Sequence, residues 1–109
     1  RRYKKPNYKN VGSNLAELRQ KIDLIDSQII ELLAQRALCV QDATRFKKDA
    51  FQVAAPARQA QVFERVKSQA EAHLENFPNF PDIVETTYRT LVAGFIASEQ
   101  LLFQKTEII

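Results

Sequence analysis

Cysteine is nearly absent: Cys39 is the only one in 109 residues, which excludes an internal disulfide and a cysteine-based zinc site. Inside a helical pattern such a residue usually serves as a small buried hydrophobe. A nucleophilic role would want a histidine beside it, and the chain has only His73. Glycine occurs twice, at Gly12 and Gly94, and proline four times, at Pro6, Pro56, Pro78 and Pro81. A β-rich domain of this size needs many more turn residues, so the composition predicts an all-α fold of a few long helices. No apolar run approaches the roughly 20 residues of a membrane span, so no membrane partner is expected. A glycine-rich phosphate loop, a metal-ligand cluster and a Ser/His/Asp set are likewise missing. Hydride transfer and ATP-driven chemistry lose their machinery, and neither a cofactor nor a metal is expected. Methionine is absent and the chain starts at Arg1. The expectation is a processed N-terminus, by export cleavage or by trimming, with the cytoplasm as the expected compartment.

Apolar residues supply 45% of the chain, enough for one globular domain and too many for a disordered one. The net charge of +3 is unevenly spread. Arg1, Arg2, Lys4, Lys5 and Lys9 fall in the first nine residues without an acid, and removing these five leaves −2 for the rest. Tyr3 and Tyr8 interleave with them in the manner of a nucleic-acid contact. The remainder carries no comparable basic stripe, so residues 1–13 read as a solvated tail, residues 14–109 as the helical domain, and no nucleic-acid partner is expected.

Ser13 and Asn14 are N-cap candidates, with Glu17 placed to complete a capping box. From Leu15 to about Lys48 there is neither Pro nor Gly, and helix formers dominate. A seam runs at steps of three and four through Arg19, Ile22, Asp26, Ile29, Leu33, Arg36, Val40, Ala43 and Lys47, widened by Leu18, Ile25, Leu32 and Cys39. Such a helix of about 34 residues would span roughly 50 Å, whereas a compact domain of about 100 residues is only about 35 Å across. Its stripe would be left uncovered in a monomer, which predicts a two-fold homodimer. Asp49–Ala55 breaks the periodicity. Pro56 suits the first turn of a second helix, running to about Asn76 with Val62, Val66, Gln69 and Ala70 on one face. The run Asn76-Phe77-Pro78-Asn79-Phe80-Pro81 is a break, and Pro81 and Asp82 open a third helix. Val84, Tyr88, Leu91, Phe95 and Leu102 form its stripe, and it should end near Lys105.

Three cations interrupt the first seam. Arg19, Arg36 and Lys47 occupy positions that the periodicity assigns to the buried face, and a buried cation needs an anion. One reading pairs them with Asp26, Glu31, Glu99 or acids of a second chain, or lets them snorkel to water. The other makes them the walls of a pocket between helices that grips a small polyanion. On the third helix Glu99 falls near the middle of the apolar arc and Gln100 at its edge. Burial favours a neutral acid and neighbouring cations a charged one, and the sequence leaves both open.

The run Leu18-Arg19-Gln20-Lys21-Ile22-Asp23-Leu24-Ile25-Asp26, then Leu32-Leu33-Ala34-Gln35-Arg36, then Arg45-Phe46-Lys47, resembles the all-helical chorismate mutases. The loop Val53-Ala54-Ala55-Pro56-Ala57-Arg58 is similar to that of the isochorismate pyruvate lyase branch. The likeness covers about residues 14–104. It implies an intertwined homodimer of three-helix protomers (long, medium, long) with chorismate or isochorismate as the dicarboxylate substrate. Arg19 would then enter the partner's site, Arg36 and Arg58 would bind substrate carboxylates, and Lys47 would donate to the ether oxygen of the breaking C–O bond. Glu99 would donate to the same oxygen, with Gln100 as the fallback should the register slip by one. Gln59 stands where many mutases carry a Glu that holds the ring hydroxyl, a departure that fits the lyase branch. Glu99 in place of Gln is seen among true mutases.

A pericyclic rearrangement needs no nucleophile, metal or redox cofactor, so the resemblance agrees with the residue inventory. Chorismate mutase is the leading reading, isochorismate pyruvate lyase the alternative, and a non-catalytic helical dimer the second alternative.

Overall fold

The computed structural model describes residues 9–74 and 77–107. Arg1, Arg2, Lys4 and Lys5 of the basic segment, Tyr3 and Tyr8 lie outside the described residues, as does Asn76. Among the described residues every regular element is helical: α1 (Leu15–Ala43), a 3-10 turn (Thr44–Phe46), α2 (Ala50–Ala54), α3 (Pro56–Glu71) and α4 (Phe80–Glu107). No helix among them is long and apolar enough to cross a membrane. The chain divides between Gln35 and Arg36 into two units.

In the first unit α1 starts at a capping box. Asn14 Oδ1 accepts from the Glu17 N–H at 2.8 Å, and the Glu17 carboxylate accepts from the Ser13 N–H at 3.3 Å. The Glu17 N–H, an otherwise orphaned helix-start donor, is thereby satisfied, and the return bond ties down the residue before the cap. Lys21 pairs with Glu17 one turn away at 3.6 Å. No residue of α1 is buried along its 29 positions, and Ile22, Leu24, Ile25, Ile29, Ile30 and Leu32 are all exposed.

The second unit holds the core. Val62 and Val66 of α3 and Val92 of α4 are buried together, with Phe63, Val84, Tyr88 and Ile96 packed against them. Val62, Val66 and Ala70 take the buried face of α3 as their spacing predicts, whereas Gln69 is exposed. Pro56 occupies the first turn of α3, where its missing N–H costs nothing. Asp82 lies in the first turn of α4 and Lys105 in its last, signs that suit the helix dipole.

The structure departs from the sequence reading between residues 44 and 55. The first helix stops at Ala43 rather than near Lys48, because Thr44 begins a 3-10 turn and Lys47 is extended at φ −99°, ψ 136°. The Lys47 N–H closes this turn on the Thr44 carbonyl at 3.1 Å. The segment expected to be irregular contains α2, whose N-cap Asp49 accepts from the Gln52 N–H at 2.8 Å while Gln52 Oε1 accepts from the Lys48 N–H at 2.7 Å. This is a second capping box, too short to register as periodicity. Ala55 then turns the chain into α3 at φ 44°, a left-handed conformation that costs a residue with a Cβ about 1–2 kcal/mol. Val53 of α2 is 1% exposed, and its burial anchors this corner.

Candidate active site

The second unit contains a pocket of about 320 Å³ that gathers side chains from each of its segments. Arg36 comes from α1, Lys47 from the extended residue after the 3-10 turn, Arg58, Gln59 and Arg65 from α3, and Glu99 from α4. Val53, Val62, Val92 and Ile96 supply apolar wall between them. The volume suits a small ligand.

Arg36, Lys47, Arg58, Gln59 and Glu99 are each held by a local contact. The Arg36 guanidinium lies 5.0 Å from the centroid of the Phe95 ring, an attractive cation–π geometry that fixes a long side chain. Arg58 donates one Nη1 bond to Gln61 Oε1 at 2.7 Å. The Gln59 amide nitrogen donates to the Ala54 carbonyl across the α2–α3 corner at 2.6 Å. Glu99 is 5% exposed. Its Oε2 accepts from Lys47 Nζ at 3.0 Å and from Thr44 Oγ1 at 3.3 Å. Four cations and one carboxylate thus surround the pocket, and a surplus of positive charge in a partly desolvated cavity attracts anions with more than one acidic group.

Of the residues singled out in the sequence, Arg36, Lys47, Arg58, Gln59 and Glu99 line this one pocket. Arg19 belongs to the first unit, where its side chain is exposed on α1. Gln100 lines a separate recess with Asp49, Ala50, Phe103 and Gln104. Asp26 and Glu31 are exposed, so of the ion pairs weighed for the first-seam cations the structure forms Lys47 with Glu99. Cys39 corrects the expectation of a buried hydrophobe: it is exposed and lines the pocket, because its face of α1 borders the cavity rather than the core. Sequence reasoning missed Arg65 and Thr44. Arg65 follows Arg58 by seven residues, two helical turns along one face of α3, and that spacing was the available signal.

The second unit thus concentrates guanidinium and ammonium groups around a buried carboxylate, an arrangement whose charge suits a small polyanion. The chain matches the chorismate mutase type II family over residues 18–100, and it belongs to that family. A chorismate mutase of Methanocaldococcus jannaschii is 32% identical over 60 residues, which are 54% of this chain and 61% of that protein. The match therefore spans less than two thirds of this curated relative's length.

Proposed function

We propose that the chain is a chorismate mutase, converting chorismate to prephenate in the pocket of residues 36–99, with residues 14–109 as the active domain. The observation that carries this reading is the Lys47–Glu99 pair standing among Arg36, Arg58 and Arg65. Arg36 and Arg58 take the two carboxylates of the substrate, and the guanidinium fork matches a carboxylate in plane. The ring-bearing and enolpyruvyl arms are thereby held in the bent arrangement from which the new C–C bond forms as the ether C–O bond breaks. Negative charge developing on the ether oxygen is met by the Lys47 ammonium, whose second and third protons remain for the ligand while the first is on Glu99. Protonated Glu99 gives the second hydrogen bond to that oxygen. Gln59 accepts from the ring hydroxyl, a role open to a neutral amide oxygen as to a carboxylate.

The working form is a homodimer in which Arg19 completes the partner's pocket. Support comes from α1: a 29-residue helix with exposed Ile and Leu side chains and no buried position has an apolar stripe that water alone would cover.

The test is parallel turnover of chorismate and isochorismate by the purified protein at pH 5 and pH 7.5, with products identified. Prephenate from chorismate, lost in Lys47→Ala, is the expected result. Salicylate and pyruvate from isochorismate, with chorismate untouched, would overturn the mutase reading and favour the lyase. Turnover of neither substrate would leave a non-catalytic helical protein. Sedimentation showing only monomer at micromolar concentration would sink the shared site.

A further inference from the structure

Helix α3 withholds acids from the two arginines it turns to the pocket. Arg58 and Arg65 stand seven residues apart, and the positions three and four residues from either are Ala54, Ala55, Gln61, Val62, Ser68 and Gln69. None is acidic. These spacings are where a helical cation ordinarily finds its pair, as Lys21 does with Glu17, Arg45 with Asp42 and Arg89 with Glu85. Arg58 settles for a neutral partner, Gln61. The Arg65 side chain has no hydrogen bond, ion pair or ring contact among the described residues.

Depth sorts the charges of the cavity. Glu99 is buried, Arg36 and Lys47 are half-buried, and Arg58 and Arg65 are exposed although they line the same space. Arg65 therefore stands where the cavity meets water. Lys47 and Glu99 are set against each other. The cations beyond that pair are Arg36, Arg58 and Arg65, one more than a dicarboxylate has acids. A guanidinium keeps its charge at any working pH, and one left unpaired at a cavity mouth acts on an approaching anion through its field.

We propose that Arg65 is the capture residue of this pocket: its unpaired charge draws a small dicarboxylate to the mouth and selects it over a monocarboxylate, while Arg36 and Arg58 take the two acids. The inference rests on the mutase reading for the identity of that dicarboxylate. Seven helical residues rise by about 10 Å, which sets the scale of the distance from Arg65 to a ligand on Arg58. A field acting over that distance hardly changes while the reacting atoms shift by fractions of an ångström. It stabilises bound substrate and transition state alike, so it lowers KM and leaves kcat unchanged. Across about 10 Å of water, in about 10 mM salt, one positive charge strengthens the binding of a dianion about threefold and of a monoanion less than twofold.

The test is a charge series at an exposed position, Arg65→Lys, Arg65→Gln and Arg65→Glu in the full chain, assayed on chorismate in about 10 mM salt and again in half-molar salt. In low salt R65Q should raise KM about threefold and R65E, which doubles the change in charge, about sevenfold, with kcat held to within about 1.5-fold. R65K should stay close to the parent, and half-molar salt should nearly erase the differences. An unchanged KM in R65Q at low salt overturns the proposal. So does a loss that persists in high salt, or one that falls on kcat, since either would make Arg65 a contact group at the reacting atoms. A second arm needs no turnover: benzene-1,3-dicarboxylate and benzoate are titrated into the same variants and followed by amide NMR. The dicarboxylate should weaken about threefold in R65Q and benzoate less than twofold; equal weakening of the two overturns the selection by charge. Chorismate left unconverted beside that binding pattern would refute the mutase reading and leave Arg65 as the capture residue. Chorismate converted with the same KM in parent and R65Q would do the reverse. A parent that neither converts chorismate nor binds the dicarboxylate would overturn both.

Discussion

The pairing of Lys47 with Glu99 can be isolated by a double-mutant cycle. At 3.0 Å, two unit charges attract by about 5.5 kcal/mol at an effective dielectric constant of about 20. Most of this is offset by desolvation, since the Glu99 side chain is only 7% exposed, and by ordering the lysine stem. The Lys47 side chain is 22% exposed, so water still reaches the ammonium and moderates the loss when it is removed. The coupling between the two should therefore be about 1–3 kcal/mol at neutral pH. Lys47→Met keeps the apolar stem and Glu99→Gln keeps the shape, so each single change removes the charge interaction with little else. Urea unfolding of the parent, both single variants and the double variant, at one fixed protomer concentration, gives the four free energies. Each single change should cost more than its share of the double. Additivity to within about 0.3–0.5 kcal/mol at neutral pH would refute the pairing and the buried placement of Glu99 with it.

Val53→Ala should lower unfolding stability by about 1–3 kcal/mol, since the side chain is 1% exposed and its loss leaves a cavity at the α2 corner; a change under about 0.5 kcal/mol would contradict that burial. Ala55→Gly should raise stability by about 0.5–1 kcal/mol by relieving φ 44°, visible as a later urea midpoint with an unchanged slope. On the surface, a hydrogen bond from Arg89 and the nearby Lys67 hold the Glu85 carboxyl below its usual range, while Glu85 and then Asp82 hold Lys67 above its own. The Glu85 contribution is complete above its unfolded value and fades as pH falls through the lowered one. The Lys67 contribution is complete below its unfolded value and fades as pH rises through the raised one. Glu85→Gln should therefore flatten the acid side of the stability–pH curve, an effect that half-molar salt should largely erase; an acid limb identical to the parent's would argue against the network.

The long helices were legible because their signals are repeated many times. Asn14 and Glu17, an uninterrupted apolar period, Pro56 and Asp82 each mark a boundary through a physical preference that operates locally. The end of α1 was misread because Thr44–Lys48 continues the helical period in residue type. What stops the helix is a side-chain bond to Val40 and a turn closed by the Lys47 N–H. The pattern Asp49-Ala50-Phe51-Gln52 was a readable capping box, but a five-residue helix is too short for periodicity to support it. For the candidate site, phase on α4 distinguished Glu99 from Gln100, and the spacing of Arg36 and Lys47 placed both cations on one face. Thr44 had no such signal. Its significance arises from a contact with a residue 55 positions away, which only the folded chain brings together.

The exposure of α1 has a kinetic side. With none of its residues buried, the backbone amides of residues 15–35 are guarded by the helix's own hydrogen bonds alone, and an unsupported helix opens at little cost. Hydrogen exchange should report this directly: on dilution, protection across that stretch should vanish while Val62, Val66 and Val92 remain slow. On the dimer reading, the segment bearing Arg19 becomes ordered only when a second chain arrives. The amount of protein present then sets the fraction of complete pockets, so turnover per chain would rise with concentration before levelling off.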